Sequence, residues 1–305
     1  MPGIQRPQQP LGEVFGFPTD NLSPLAEYYR QNRLCPFNNR VPSCTKDKAN
    51  DPLGVCSIRH NETAVITCPV RFRQDWRVTV DASAFFFPKG VAWTSLVEVP
   101  LHDSHGLSAG NIDVVLVSYD ERGRLTDFGA LEVQAVYISG NVRRPFEAYM
   151  QNRAAGLTMD WSGMVLYPRP DYLSSSRKRL GPQLLYKGGI LKSWGKKQAV
   201  AVQRSFYQTL PTLPRVTPEQ ADIVWLIYDL EYNVADQVYT LVLSERIYSQ
   251  FEPALDRITR PAIGPIQTFI DELQTRLDVK LTGAPPDAPT VLDITEPDVA
   301  DRGAM

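Results

Sequence analysis

Four cysteines, Cys35, Cys44, Cys56 and Cys68, fall within 34 consecutive residues, and the rest of the 305-residue chain has none. The opening stretch MPGIQRPQQPLGEV has no apolar core of the kind a secretion signal needs. A soluble, cytoplasmic protein is therefore expected, and in a reducing compartment clustered thiols suit a metal better than two disulfides. Four thiolates are a tetrahedral donor set for zinc or a single iron. The spacing, C-x8-C-x11-C-x11-C, lacks the paired C-x2-C knuckles of common zinc ribbons. The intervening CPFNNRVPSCTKDKANDPLGVCS is rich in Pro, Asn, Asp and Gly, so a metal would supply ordering free energy that core burial does not. Free thiols are the competing reading, and His60, four residues after Cys56, is an alternative ligand. A closed four-ligand shell has no open position, which makes the expected role structural.

A second group of donors is carboxylate. Asp113 stands in NIDVVLVSYD, Glu132 and Gln134 in ALEVQAVYIS, and Glu98 in SLVEVPL. In a strand alternate residues share a face, so Glu132 and Gln134 point the same way. A buried, unpaired carboxylate is costly, and two that converge repel unless a cation joins them. The pattern D-x18-E-x-Q thus reads as a hard-metal site, with oxygen donors that favour magnesium or manganese over zinc. Salt-bridged or surface acids are the alternative. His102 and His105, in LHDSHG, read as loop histidines.

The elements that would position these residues are uneven in clarity. Ile112 to Tyr119 is a short β-branched run bounded by turn residues, and Ala130 to Ser139 follows after DERGRLTDFG, so the two predict a β-hairpin. Leu22 to Asn32 predicts a short helix. Trp76, Val80 and Ala84 suit a helix over 72–87, and Pro100 should end the ambiguous segment from Val91 to Val99. Arg144 to Ala154 reads as helical. Two basic helices, broken near Gly188-Gly189, are expected between Leu173 and Leu210. Strands over Ile223 to Leu230 and Val238 to Leu243 precede a helix near Pro265 to Leu277. Residues 1–20 read as an irregular arm. The mix is α/β or α+β.

An acid on one strand followed on the next by E-x-K, or a variant of it, resembles the core of the PD-(D/E)XK nucleases. With glutamine in the lysine position and four cysteines upstream, the chain resembles the NotI-type restriction endonucleases over roughly residues 30–160. The residues that carry the resemblance are CPFNN, VPSC, VCS and TCP, the LVEVP segment and the hairpin. It implies a mixed central sheet flanked by helices, with an N-terminal metal-cysteine module. It implies a single iron on Cys35, Cys44, Cys56 and Cys68, metal-binding acids at Asp113 and Glu132, a further acid at Glu98, and Gln134 in the lysine position. It also implies Mg2+-dependent hydrolysis of double-stranded DNA at a G·C-rich palindrome by a homodimer. Gln134 lacks the charge of lysine, so its expected role is to orient the attacking water while the metal lowers that water's pKa.

Charge distribution agrees with a nucleic-acid partner. The chain holds 32 Lys and Arg against 34 Asp and Glu. Yet nine basic residues (Arg169, Arg177, Lys178, Arg179, Lys187, Lys192, Lys196, Lys197 and Arg204) and only Asp171 among acids lie between 169 and 204. Such a stretch suits phosphate. No phosphate-cradling GxxxxGK[ST] and no GxGxxG occurs, so no nucleotide cofactor is expected. The longest apolar run is Ile223 to Tyr228, so no membrane span is expected. The expected organisation is an arm and cysteine module over 1–75, a nuclease core over 76–282 carrying basic DNA-binding helices, and an acidic, disordered tail over 283–305. Two rival functions are a metal-stapled DNA-binding protein without catalysis and a glycosidase using Glu98 and Glu132, the latter disfavoured by the basic segment.

Overall fold

The structure, a computed structural model of the chain, describes residues 8–38, 41–48 and 50–282. Two compact units divide the chain after Arg260. The expected tail over 283–305 lies outside the described residues.

The first unit begins with a small antiparallel sheet in the order β2-β1-β3-β4, formed by β1 (Leu11–Val14), β2 (Phe17–Pro18), β3 (Val55–His60) and β4 (Thr63–Ile66). The expected irregular arm is thus structured from residue 11, because Leu11, Val14, Phe15 and Phe17 are buried. Helix α1 (Pro24–Gln31) starts where Ser23 accepts a hydrogen bond from Ala26 N, with Pro24 at its first position.

Helix α2 (Arg77–Phe86) falls in the expected segment, but its face is reversed. Trp76 and Val80 are exposed, whereas Val78, Ala82, Phe85 and Phe86 are buried. The phenylalanine run turns this helix onto the sheet. A Cβ on Gly129 would lie 2.4 Å from the Phe86 ring, so only glycine permits that approach.

The main sheet has six strands: β5 (Trp93–His102), β6 (Ser108–Tyr119), β7 (Leu125–Gln134), β8 (Gln198–Gln203), β9 (Ile223–Asn233) and β10 (Val238–Ser249). Their order is β10-β9-β8-β7-β6-β5. Strand β8 runs parallel to both β7 and β9, and the other pairs are antiparallel, so the sheet is mixed. Strand β5 continues through Pro100, contrary to expectation. It lies at the sheet edge, where an absent N–H leaves no partner unbonded. The predicted hairpin forms, with Val114 opposite Leu131.

Beyond α3 (Arg143–Gln151) and a short helix over Arg153–Thr158 comes α4, a helical run over residues 172–193 with two π-helical stretches. The expected break at Gly188-Gly189 is absent, since both keep helical angles. The run ends instead at Trp194 and Gly195, whose φ of +65° suits glycine. In place of a second basic helix the chain enters the sheet: QAVAVQ is β8, buried at every position in the middle of it. Helix α5 (Phe251–Thr259) closes the unit.

The division expected near residue 75 does not coincide with a break in the core. Leu11, Val14, Cys44, Leu53 and Val55 pack in the same cluster as Val200, Trp225 and Phe251. The second unit contains helix α6 (Ile266–Leu281), which was expected within the nuclease core.

Candidate metal centres and nucleic-acid interface

The sheet brings three of the predicted acids into a row. One step beyond the Val114–Leu131 pair, Asp113 on β6 comes opposite Glu132 on β7. On the other side, Val97 pairs with Val114 and Val99 with Ile112, leaving Glu98 of β5 opposite Asp113. Glu98 breaks the ladder there with a φ of +55°, an uncommon conformation for a glutamate.

Each acid has a distinct environment. Glu98 is exposed. Asp113 accepts a hydrogen bond from Val133 N at 2.8 Å, which fixes its carboxylate against the neighbouring strand. Burial pushes its pKa up; Val133 N and Lys187 pull it down, and Glu98 raises it. Glu132 is 1% exposed. Burial first and the Asp113 carboxylate second push its pKa up to about 8, although Lys187 opposes both. Its Oε2 accepts from Lys187 Nζ at 2.7 Å, while the buried Oε1 has no hydrogen-bond partner. Two carboxylates coupled at this depth need a proton or a cation between them. A hard divalent ion fits such oxygen donors.

Gln134 follows Glu132 on the same face of β7 and is buried, but its Nε2 donates to Ala135 O at 2.6 Å. The residues brought together are therefore Glu98, Asp113 and Glu132, with Gln134 beside them and its amide turned along its own strand. A cleft of about 700 Å³ opens on Glu98 and Asp113, walled by Arg73, Trp76 and Phe72 and by Val41 and Thr45 of the cysteine segment.

Lys187, expected on a basic surface, is buried on Glu132. The sequence does hold a signal for this. Leu180, Leu184 and Leu191 form the buried stripe of α4, and Lys187 falls on that stripe.

The four cysteines share one neighbourhood. Cys44, Cys56 and Cys68 are buried, and burial pushes the Cys35 thiol up to about 11, with Cys68 and Cys44 adding to the rise. Cys68 acts in the same way on Cys44 and on Cys56. Among the described residues no three His, Cys, Asp or Glu side chains form a closed coordination shell as they stand. Four thiols near one another, three of them buried, are nevertheless soft donors of the kind that zinc or iron takes. His60 sits instead against the Tyr172 ring, with centroids 6.5 Å apart.

The segment is anchored by Arg71, whose guanidinium lies 4.2 Å from the centroid of the Phe37 ring and 3.0 Å from Glu13, with both charged side chains fully buried.

The basic stretch divides in two. Lys187, Lys192, Lys196 and Arg204 are held by Glu132, Asp222, Asp127 and Asp229. Arg177, Lys178 and Arg179 are exposed and form no salt bridge among the described residues. Arg179 lies 4.7 Å over the Tyr137 ring, three residues beyond Gln134. This cationic face therefore adjoins the end of the strand that carries Glu132.

The NotI restriction endonuclease family model matches residues 22–241 of the 305. That span contains the cysteines, the acid row and five strands of the main sheet in full. The chain belongs to the NotI restriction endonuclease family. Membership makes it a site-specific DNA endonuclease, a hydrolase whose partner is DNA. No curated protein matches the chain. No helix among the described residues is long and apolar enough to cross a membrane.

Proposed function

We propose that this NotI-family chain is a type II endonuclease with a PD-(D/E)XK core. It hydrolyses double-stranded DNA at a G·C-rich palindrome and leaves 5′-phosphate ends. The observation that carries the reading is the alignment of Glu98, Asp113 and Glu132 across three adjacent strands, with Glu98 and Asp113 lining a cleft of about 700 Å³ and Glu132 buried beside Asp113.

Asp113 and Glu132 are the proposed Mg2+ ligands, and Glu98 supports a second ion or a bridging water. Bound there, Mg2+ supplies charge to offset repulsion between hydroxide and an anionic phosphate and lowers the pKa of water. Val133 N holds Asp113 in place, and the sheet register keeps Glu132 beside it. Gln134 orients water without contributing charge. Arg177, Lys178 and Arg179 bind phosphates and hold the duplex against the cleft. Cys35, Cys44, Cys56 and Cys68 hold iron or zinc in a structural role. A homodimer, each subunit reading one half-site, suits a palindrome.

The contact of Glu132 with Lys187 favours one rival, a metal-stapled DNA-binding protein in which the acids serve only as ion-pair partners. Incubating plasmid DNA with the protein, with and without Mg2+, and sequencing the ends distinguishes the two. Discrete Mg2+-dependent fragments with 5′-phosphates support cleavage. A gel shift without fragments supports the rival.

A further inference from the structure

Lys187 occupies a place where an apolar side chain would ordinarily be found. It lies on the buried stripe of α4 between Leu184 and Leu191 and is 3% exposed. Its ammonium donates to Glu132 Oε2 at 2.7 Å and to Asn111 O at 2.8 Å. Asn111 is two residues from Asp113, so one cation ties α4 to β6 and β7, the strands of Asp113 and Glu132. Around it the helix is π-helical over Leu184–Gly188, a local irregularity frequent at functional sites. The helix backbone is also pressed against α5 and the sheet here: a Cβ on Gly188 would lie 2.6 Å from the Phe251 ring of α5 and 3.0 Å from Gln198 Oε1 of β8.

Stability alone does not account for this arrangement, because well-packed apolar replacements of buried ion pairs are often neutral or stabilising. Leu180, Leu184 and Leu191 show that the same helix face takes leucine readily. The ammonium meanwhile engages only one carboxylate oxygen. Oε1, the other oxygen of Glu132, is buried with no hydrogen-bond partner.

We propose that Lys187 is the positioning cation of the cleavage site, supplying from α4 the positive charge that the Gln134 position lacks and fixing Glu132 with one oxygen held and the other directed to Asp113. The inference rests on the endonuclease reading and adds a residue to it. Lys187 acts through Glu132 and is a positioning residue.

The test uses the full chain carrying Lys187→Met, which preserves length without charge, and Lys187→Gln, which preserves a hydrogen-bond donor and folds should the methionine variant not. Three quantities are measured: melting temperature, Mn2+ affinity without DNA, and single-turnover cleavage at saturating Mg2+. The expected result is a split. Loss of a neighbouring positive charge tightens Mn2+ binding several-fold, while cleavage slows about 10–100-fold, as expected when a residue that orients a metal ligand is removed. Variants that cleave at the wild-type rate overturn the proposal. So does a parallel loss of melting temperature, Mn2+ binding and cleavage in both variants, which assigns Lys187 to the fold alone. A wild-type chain that neither binds Mn2+ nor cleaves DNA overturns the endonuclease reading itself.

Discussion

Asp113 and Glu132 lie opposite each other on neighbouring antiparallel strands, and the Asp113 carboxylate adds to the burial that pushes the Glu132 pKa up, while a hydrogen bond from Glu132 pulls that of Asp113 down. With burial dominant and Asp113 second, Glu132 keeps its proton to about pH 8 in the metal-free protein. An unfolded glutamate releases its proton near pH 4.3. Between these values the folded state binds more protons than the unfolded one, so this group's contribution to stability is full below about pH 4 and is lost as pH rises toward 8. Metal-free wild-type protein should therefore show a falling contribution across that window, and Glu132→Gln should flatten it. Thermal melts of both proteins from pH 5 to pH 8 in chelator check this. Identical pH slopes would contradict it.

The Arg71–Glu13 pair predicts a stability effect remote from the acids. Both side chains are fully buried, and Arg71 also donates to Tyr239 O and Gln74 Oε1. Arg71→Met leaves Glu13 buried and unpaired, at a cost of about 3–5 kcal/mol. Urea denaturation should show that loss, and Glu13→Gln combined with Arg71→Met should recover part of it.

Cys56→Ser tests the proposed structural metal site. Cys56 is 5% exposed, and burial together with the nearby Cys68 and Cys35 pushes its thiol pKa up. The variant should lose its iron or zinc and melt several degrees lower, with no separate effect on the cleavage step in the molecules that remain folded. Metal analysis of the purified protein distinguishes iron from zinc. A folded, metal-free variant of wild-type stability would contradict the role.

Replacing Arg177, Lys178 and Arg179 together by alanine should weaken DNA binding alike for all sequences. If all three contact phosphates, the slope of log affinity against log salt falls by about 0.9 for each, or about 2.7 together. Gel shifts across a salt series measure it, and an unchanged slope would place the DNA elsewhere.

Elements with local signatures were legible in the sequence. The β6–β7 hairpin declares itself through β-branched runs around a turn, and its register carries Asp113 to Glu132. The α2 helix was legible as a helix but not in orientation, because its buried face depends on aromatic contacts such as Phe85 with Tyr248. Strand β8 was hidden by its basic surroundings, although AVAV is a short apolar run and sits between two parallel neighbours. The Lys187–Glu132 contact spans 55 positions, and sequence spacing alone does not specify a partner at that distance. Alternation along a strand puts Gln134 on the face of Glu132, but it does not give the direction of the Gln134 amide, whose Nε2 donates to Ala135 O.

The most direct measurement compares wild-type protein with Glu132→Ala on a cognate duplex, following cleavage in Mg2+ and binding by gel shift without it. Wild type should yield discrete 5′-phosphorylated fragments, and the variant should bind with little change and yield none. A variant that cuts at the wild-type rate would contradict the assignment, as would one that stays folded but loses specific binding.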